Sequence, residues 1–243
     1  MRLQDKVVIV GGAAGGVGRR VCERVVDEGG LLVALDLDAP TFGNAADTAA
    51  RVLALGADMA DFEAAQNVVA QAIDTFGRVD ALVNLAGVFE VQDFCATEAD
   101  DWSRAYRANL MTAVAMCRAA APSMIERGSG SIVNFASTAG EYGSIRPAAP
   151  YAAAKGAVIA LTKTLSRELS PHGVRVNAIS PGPIATTMFA SGGDDASSAG
   201  AARTLVGRMG RPDDMAAGVL YLASDESTYV TGEVLRINGG SLI

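Results

Sequence analysis

The sequence predicts a single α/β domain over residues 1–243: a doubly wound parallel sheet of about seven strands with helices on both faces. Three observations predict it. Short apolar runs rich in Val, Ile and Leu alternate with helical patterns along the whole chain. A glycine-rich turn follows the first run and opens a helix. The chemically distinctive residues fall just after the predicted strands, at the edge where open α/β sheets bind ligands.

Val7-Val-Ile-Val10, bounded by Asp5-Lys6 and by glycine, reads as a buried parallel strand. Gly11-Gly-Ala-Ala-Gly-Gly-Val-Gly18 follows, and a helical pattern then runs through Val21, Val25 and Val26 to Gly29-Gly30. Between a strand and a helix, such a turn means phosphate binding. Glycines let the backbone approach a pyrophosphate, and the helix start offers free N–H groups and a positive dipole end. Leu31-Leu-Val-Ala-Leu-Asp36 is the second strand, ending in an acid where a carboxylate takes the adenosine ribose hydroxyls. Such a carboxylate repels a 2′-phosphate, and no Arg or Lys lies in residues 11–17 or 37–41, so NAD is expected over NADP.

Leu53 to Leu55 leads to Asp58-Met59 as a third strand, and Phe62 to Phe76 reads as a helix. Val79-Asp-Ala-Leu-Val-Asn84 is the fourth strand, running into Leu85-Ala86-Gly87, whose small residues suit a nucleotide lying across the sheet edge. Residues 97–127 read as mostly helical, with a bend at Pro122, and carry Asn109, for which spacing alone leaves structural and functional roles open. Ser131-Ile-Val-Asn-Phe-Ala136 is the fifth strand and delivers Ser137-Thr138; residues 140–150 read as a loop. A long helix follows to about Leu169, then Val174-Arg-Val-Asn-Ala-Ile179 as a sixth strand ending at Ser180-Pro-Gly-Pro183. Residues 187–207, rich in Gly, Ser, Ala and Asp, read as a candidate substrate lid. Arg211-Pro-Asp-Asp-Met215 opens the last helix, with Pro212 near its first turn, and Val234-Leu-Arg-Ile237 is the seventh strand.

Composition excludes several classes. The net charge is −7 and the isoelectric point about 4.8, without the basic footprint of a nucleic-acid binder. Mean hydropathy is +0.25, yet no apolar run is long enough to span a bilayer, so no membrane association is expected. The start turns directly into a strand, leaving no signal peptide. Cys22, Cys95 and Cys117 are scattered, as reduced thiols of a cytoplasmic protein. The only histidine, His172, sits in a turn-like setting, which argues against a Ser-His-Asp triad, and no Cys/His spacing suits a metal.

The remaining motif is Tyr151-Ala-Ala-Ala-Lys155 at the start of the long helix. Positions i and i+4 share a helix face. An ammonium beside a phenol favours the phenolate and brings a poor acid towards neutral pH. Alone this spacing is weak. With the rest, the chain resembles the short-chain dehydrogenase/reductase family in its compact form, over almost its whole length. Gly12-x-x-x-Gly16-Val17-Gly18 resembles the family's cofactor turn; Asn84-Leu-Ala86-Gly87 resembles its Asn-Asn-Ala-Gly motif with Leu85 replacing the second Asn; Pro181-Gly182 with Thr186 resembles its nicotinamide-side turn. Gly11 stands where the family has Thr, and Ser137 lies one residue further from Tyr151 than is common.

The resemblance implies a Rossmann-type fold and a catalytic tetrad of Asn109, Ser137, Tyr151 and Lys155. Tyr151 would exchange the proton, Lys155 would lower its pKa and hold the nicotinamide ribose, Ser137 would bind the substrate oxygen, and Asn109 would steady a water. It further implies NAD contacts from the turn, from Asp36 and Leu37, from Asp58 and Met59, from Asn84, Ala86 and Gly87, and from Pro181, Gly182, Ile184 and Thr186. The implied activity is NAD-dependent interconversion of a small-molecule secondary alcohol and ketone. The alternatives are a 3-oxoacyl-carrier-protein reductase and a nucleotide-sensing protein without turnover. Arg146 and Arg203 are candidate anchors for a substrate carboxylate or plain solvated arginines; Glu141 and Tyr142 are other polar candidates at the pocket wall. Opposite Tyr151 and Lys155, the long helix carries Ala153, Ala157, Ala160 and Thr164, a small-residue stripe. With the resemblance it implies a homotetramer, or a homodimer, assembled through this helix.

Overall fold

The computed structural model describes residues 1–42, 50–186 and 199–242. Strands β1 (Val7–Gly11), β2 (Leu31–Asp36), β3 (Val52–Gly56), β4 (Ala81–Asn84), β5 (Gly130–Phe135), β6 (Val174–Pro181) and β7 (Val234–Ile237) form one sheet in the order β3-β2-β1-β4-β5-β6-β7, every pairing parallel. Helices α1 (Gly16–Asp27), α2 (Phe62–Phe76), α3 (Ala99–Tyr106), α4 (Thr112–Arg127), α5 (Thr138–Tyr142), α6 (Ala149–Leu169) and α7 (Pro212–Ala223) make the connections.

Successive strand residues point to opposite faces, and in the central strands both faces are dry, while the edge strands β3 and β7 are half-buried or exposed. Val8, Val10, Leu32 and Val83 pack with Val21, Val25, Met215 and Leu220 of α1 and α7. Val7, Ile9, Val33 and Leu82 pack with Val68, Val69, Met116 and Met124 of α2 and α4. This two-sided burial explains why the strands are apolar runs without a polar face.

The strand order reverses beside β1: β2 and β3 lie to one side, β4 to β7 to the other. Gly11 pairs with Asn84 across that switch point, and Leu85 N donates to Gly11 O at 2.9 Å. Loops leaving β1 and β4 there diverge and open the crevice where α/β sheets hold ligands.

Two expectations are corrected. Residues 97–127 are mostly helical, as read, but the break is not at Pro122, which lies inside α4; it is a wide π turn at Arg107–Met111 between α3 and α4. Asn109 accounts for it: its Nδ2 takes the Ala105 carbonyl at 3.0 Å, which a backbone N–H would otherwise hold. Residues 140–150 are not wholly loop, because α5 occupies Thr138–Tyr142. Ser137 caps it, accepting from Ala139 N at 3.1 Å. Among the described residues no helix is long and apolar enough to cross a membrane. Of the expected lid, 187–198 lie outside the described residues; in the remainder Thr204 is buried while Leu205 and Val206 are exposed.

Candidate active site

Sterics dictate the glycine turn. Gly12 has φ +84°, and a β-carbon there would come within 2.7 Å of Ala86 N. At Gly18 a β-carbon would meet Gly12 O at 1.9 Å, so α1 packs tightly under the turn only without a side chain. At Gly16 the nearest atom is Thr186 Cγ2, at 3.4 Å from such a carbon. Gly12 thus lies against Ala86 and Gly16 against Thr186, from two other strand ends, while Gly18 lies under Gly12 and Val17 packs on the core. Helix α1 begins after Gly15 with no side-chain cap and no acid in its first turn, which leaves its N–H groups for a phosphate.

At the end of β2 the Asp36 carboxylate is pinned. Oδ2 accepts from Ala14 N at 2.9 Å and Oδ1 from Leu37 N at 2.8 Å. Each oxygen keeps a lone pair for ribose hydroxyls. Asp58 accepts from Ala60 N at 2.9 Å and pairs with Arg107 at 2.6 Å; these bonds hold its carboxyl below the usual range. Met59 is buried with its sulfur where a side chain on Gly11 would stand. Asn84 turns inward: its amide donates to Asn134 Oδ1 at 2.8 Å, so its side chain is occupied within the fold. Pro181 ends β6 beside Ile237, Gly182 abuts Asn238, and Ile184 is buried. These residues fit a dinucleotide: the cradle has no room for β-carbons at Gly12 and Gly18, the uncapped helix start suits its phosphates, and Asp36 suits its ribose.

The tetrad residues come together from three segments. Tyr151 and Lys155 lie in the first two turns of α6; Lys155 is 4% exposed, and its Nζ donates to Phe135 O at 2.8 Å and stands 5.9 Å from the Tyr151 ring centre. A β-carbon on Gly87 would lie 2.6 Å from Asn109 Oδ1 and 3.2 Å from Lys155 Nζ, so Gly87 is the space between them. Asn109 holds Val88 by both backbone groups, accepting from N at 3.1 Å and donating to O at 2.9 Å. Burial pushes the Tyr151 phenol up, and a hydrogen bond with Ser137 pulls it partway back. Burial brings Lys155 down from 10.5 to about 8. The expected depression of the phenol by Lys155 therefore yields to desolvation, which penalises both charged forms.

Around this cluster Phe89 meets Tyr151 edge-on at 4.9 Å, and the Arg146 guanidinium stands 5.6 Å from the Phe89 ring centre. Arg203 is exposed. Glu141 is no free pocket acid: Arg236 binds it at 2.6 Å and also stands over the Tyr142 ring. Sequence reasoning missed Arg107 and Arg236, since their partners lie 49 and 95 residues away and no local pattern marks them.

A family model described as Enoyl-(Acyl carrier protein) reductase matches residues 12–241. The chain is 35% identical to the 3-oxoacyl-[acyl-carrier-protein] reductase FabG of Thermotoga maritima, covering 100% of both. It is 37% identical to the 1,6-dihydroxycyclohexa-2,4-diene-1-carboxylate dehydrogenase of Pseudomonas putida, covering 99% of this chain and 94% of that one. The crystal structure of gox2181 is similar with a TM-score of 0.90 at 30% identity, covering 99% of this chain and 96% of that one.

Proposed function

The chain belongs to the short-chain dehydrogenase/reductase family of nicotinamide-dependent oxidoreductases, and from that premise we propose that it interconverts a secondary alcohol and a ketone with NAD. The observation that carries the reading is the meeting of Ser137, Tyr151 and Lys155 beside Gly87, at the carboxyl edge of the sheet. A bound nicotinamide supplies or accepts the hydride. In reduction, Ser137 donates a hydrogen bond to the ketone oxygen and Tyr151 gives it a proton; in oxidation Tyr151 takes the proton back. Burial keeps Tyr151 protonated, the form reduction needs. Lys155 holds the ribose hydroxyls and offers positive charge to the phenolate. Asn109, whose amide fixes Val88, sets the floor beside Gly87 and supports a water. The pinned Asp36 carboxylate supports NAD over NADP.

A second reading, 3-oxoacyl-carrier-protein reduction, is favoured by the similarity to FabG of Thermotoga maritima. Arg146, beside Phe89 and so near Tyr151, is the candidate anchor for an acidic substrate. One experiment separates these readings: NAD+ and NADP+ with a panel of secondary alcohols and hydroxy acids, and NADH and NADPH with a 3-oxoacyl thioester, followed at the NAD(P)H absorbance. We expect NAD(H) to be preferred at least tenfold in kcat/KM. Tyr151→Phe should bind NADH normally and lose about 10²–10⁴ of turnover. A preference for NADP(H) would overturn the role of Asp36. Retained turnover in Tyr151→Phe would overturn the proton transfer. Binding without turnover of any substrate would favour a nucleotide sensor.

A further inference from the structure

A second polar cluster runs inward from Asn84, at the crevice end of β4, to where the sheet meets α4 and α6. Asn84 on β4, Asn134 on β5, Cys117 on α4 and Thr162 on α6 are 6%, 0%, 3% and 0% exposed. They form one hydrogen-bonded chain. Asn84 Nδ2 donates to Asn134 Oδ1 at 2.8 Å and contacts Cys117 Sγ at 3.4 Å. Cys117 Sγ reaches Asn134 Oδ1 at 3.7 Å. Asn134 Nδ2 donates to Thr162 Oγ1 at 3.0 Å, and Thr162 Oγ1 donates to Val158 O at 2.8 Å. None of these side chains is among the buried polar groups left without a partner.

Apolar residues would fill this space without desolvating two amides, and the net stabilisation from each hydrogen bond is small. What the polar chain adds is direction, because its bonds form at one setting of the elements only. Asn134 adjoins Phe135, whose carbonyl takes the Lys155 ammonium at 2.8 Å. Lys155 and Thr162 lie two helical turns apart on one face of α6. The helix is therefore tied to neighbouring residues of β5 by two polar rungs, one inside the catalytic cluster and one outside it. Between them Val158 packs on Ala136 and Ala178, with Leu110, Ile159 and Val234 against the same patch, and such apolar contacts carry no direction of their own.

We propose that Asn134 and Thr162 are positioning residues for catalysis: the Asn84–Asn134–Thr162 chain fixes the height and rotation of α6 on β5, and through them the placement of the Tyr151 phenol and the Lys155 ammonium. The proposal rests on the reading that Tyr151 and Lys155 perform the chemistry. The near-isosteric Thr162→Val removes the hydroxyl and keeps the volume; Thr162→Ser keeps the hydroxyl.

The test compares both variants with the unmodified chain well below their melting temperatures. It measures kcat per folded molecule on the best substrate of the panel, cofactor Kd by NADH fluorescence, and amide hydrogen exchange over residues 149–158. Thr162→Val should lower kcat at least tenfold and change the Kd by a smaller factor, since the glycine turn and Asp36 stand apart from α6 and only Tyr151 and Lys155 would meet the cofactor from it. It should also speed exchange in the first half of α6. Thr162→Ser should restore kcat to within threefold. Undiminished kcat in Thr162→Val overturns the proposal, whatever its melting temperature, because a merely structural bond affects only the folded fraction. Unchanged exchange overturns it without reference to turnover. Where Thr162→Val does not fold, Thr162→Ala against Thr162→Ser makes the same comparison. Tyr151→Phe as a control keeps the two readings apart: retained turnover there counts against the chemistry, while a dead Tyr151→Phe beside a fully active Thr162→Val counts against the positioning role alone.

Discussion

Lys155 is a charge held where charge is costly. Burial lowers its pKa from 10.5 to about 8, while the unfolded chain keeps the ordinary value. Below pH 8 both states carry the proton, and the folded state bears the full desolvation cost. As pH rises from 8 towards 10.5 the folded state sheds its proton first, and the cost is relieved. Lys155→Met should therefore stabilise the fold at pH 7, by about 1–3 kcal/mol on the scale of 1.36 kcal/mol per pKa unit. In urea denaturation the gain should shrink as pH approaches 10.5, while turnover is lost throughout. A gain independent of pH would mean that Lys155 is not desolvated as the structure places it. The sequence shows the Tyr151–Lys155 pair, since four-residue spacing on a helix is a local fact. It does not show which way their pKa values move, because desolvation comes from β5, Gly87 and Asn109, distant in the chain.

Boundaries set by local chemistry are legible at the level of elements. β2, α2 and β7 run as read from sequence, because Gly30 precedes the first, Asp61 caps the second through Glu63 N and Ala64 N, and glycines follow the third. The glycine turn is equally legible, and its steric logic makes a prediction. Gly18→Ala places a methyl 1.9 Å from Gly12 O, so α1 must shift away from the turn. Cofactor affinity by fluorescence titration should fall at least tenfold, with far-ultraviolet circular dichroism nearly unchanged. Two elements escape such reading. The π turn at Arg107–Met111 goes with Asn109, whose amide takes the Ala105 carbonyl and also reaches Val88, 21 residues away. Helix α5 looks like loop because of Gly140 and Gly143, yet Gly140 is what lets it lie on α6: a β-carbon there would come within 2.5 Å of the Lys155 carbonyl carbon.

In the whole molecule, α6 has two unlike sides. Tyr151, Lys155, Val158, Thr162 and Leu169 face the sheet, while Ala153, Ala157, Ala160 and Thr164 are half-buried or exposed in the single chain. A row of small side chains permits close approach of another helix, which supports the proposed assembly of copies through α6. Light scattering should give a multiple of 24.8 kDa. Ala160→Arg, at an exposed position, should lower that mass without altering circular dichroism; a monomer in the unmodified chain would end the proposal. The sequence by itself determines the alternation of strands and helices, the phosphate turn, the acid at the end of β2 and the Tyr–Lys pair, because each depends on neighbours within a few turns of chain. Only the tertiary structure decides that Asn84 faces inward, that Arg107 and Arg236 are tied to Asp58 and Glu141, and that Thr162 joins Asn134. Each of these is a bond between segments far apart in the chain, made only when the sheet closes and excludes water from between them.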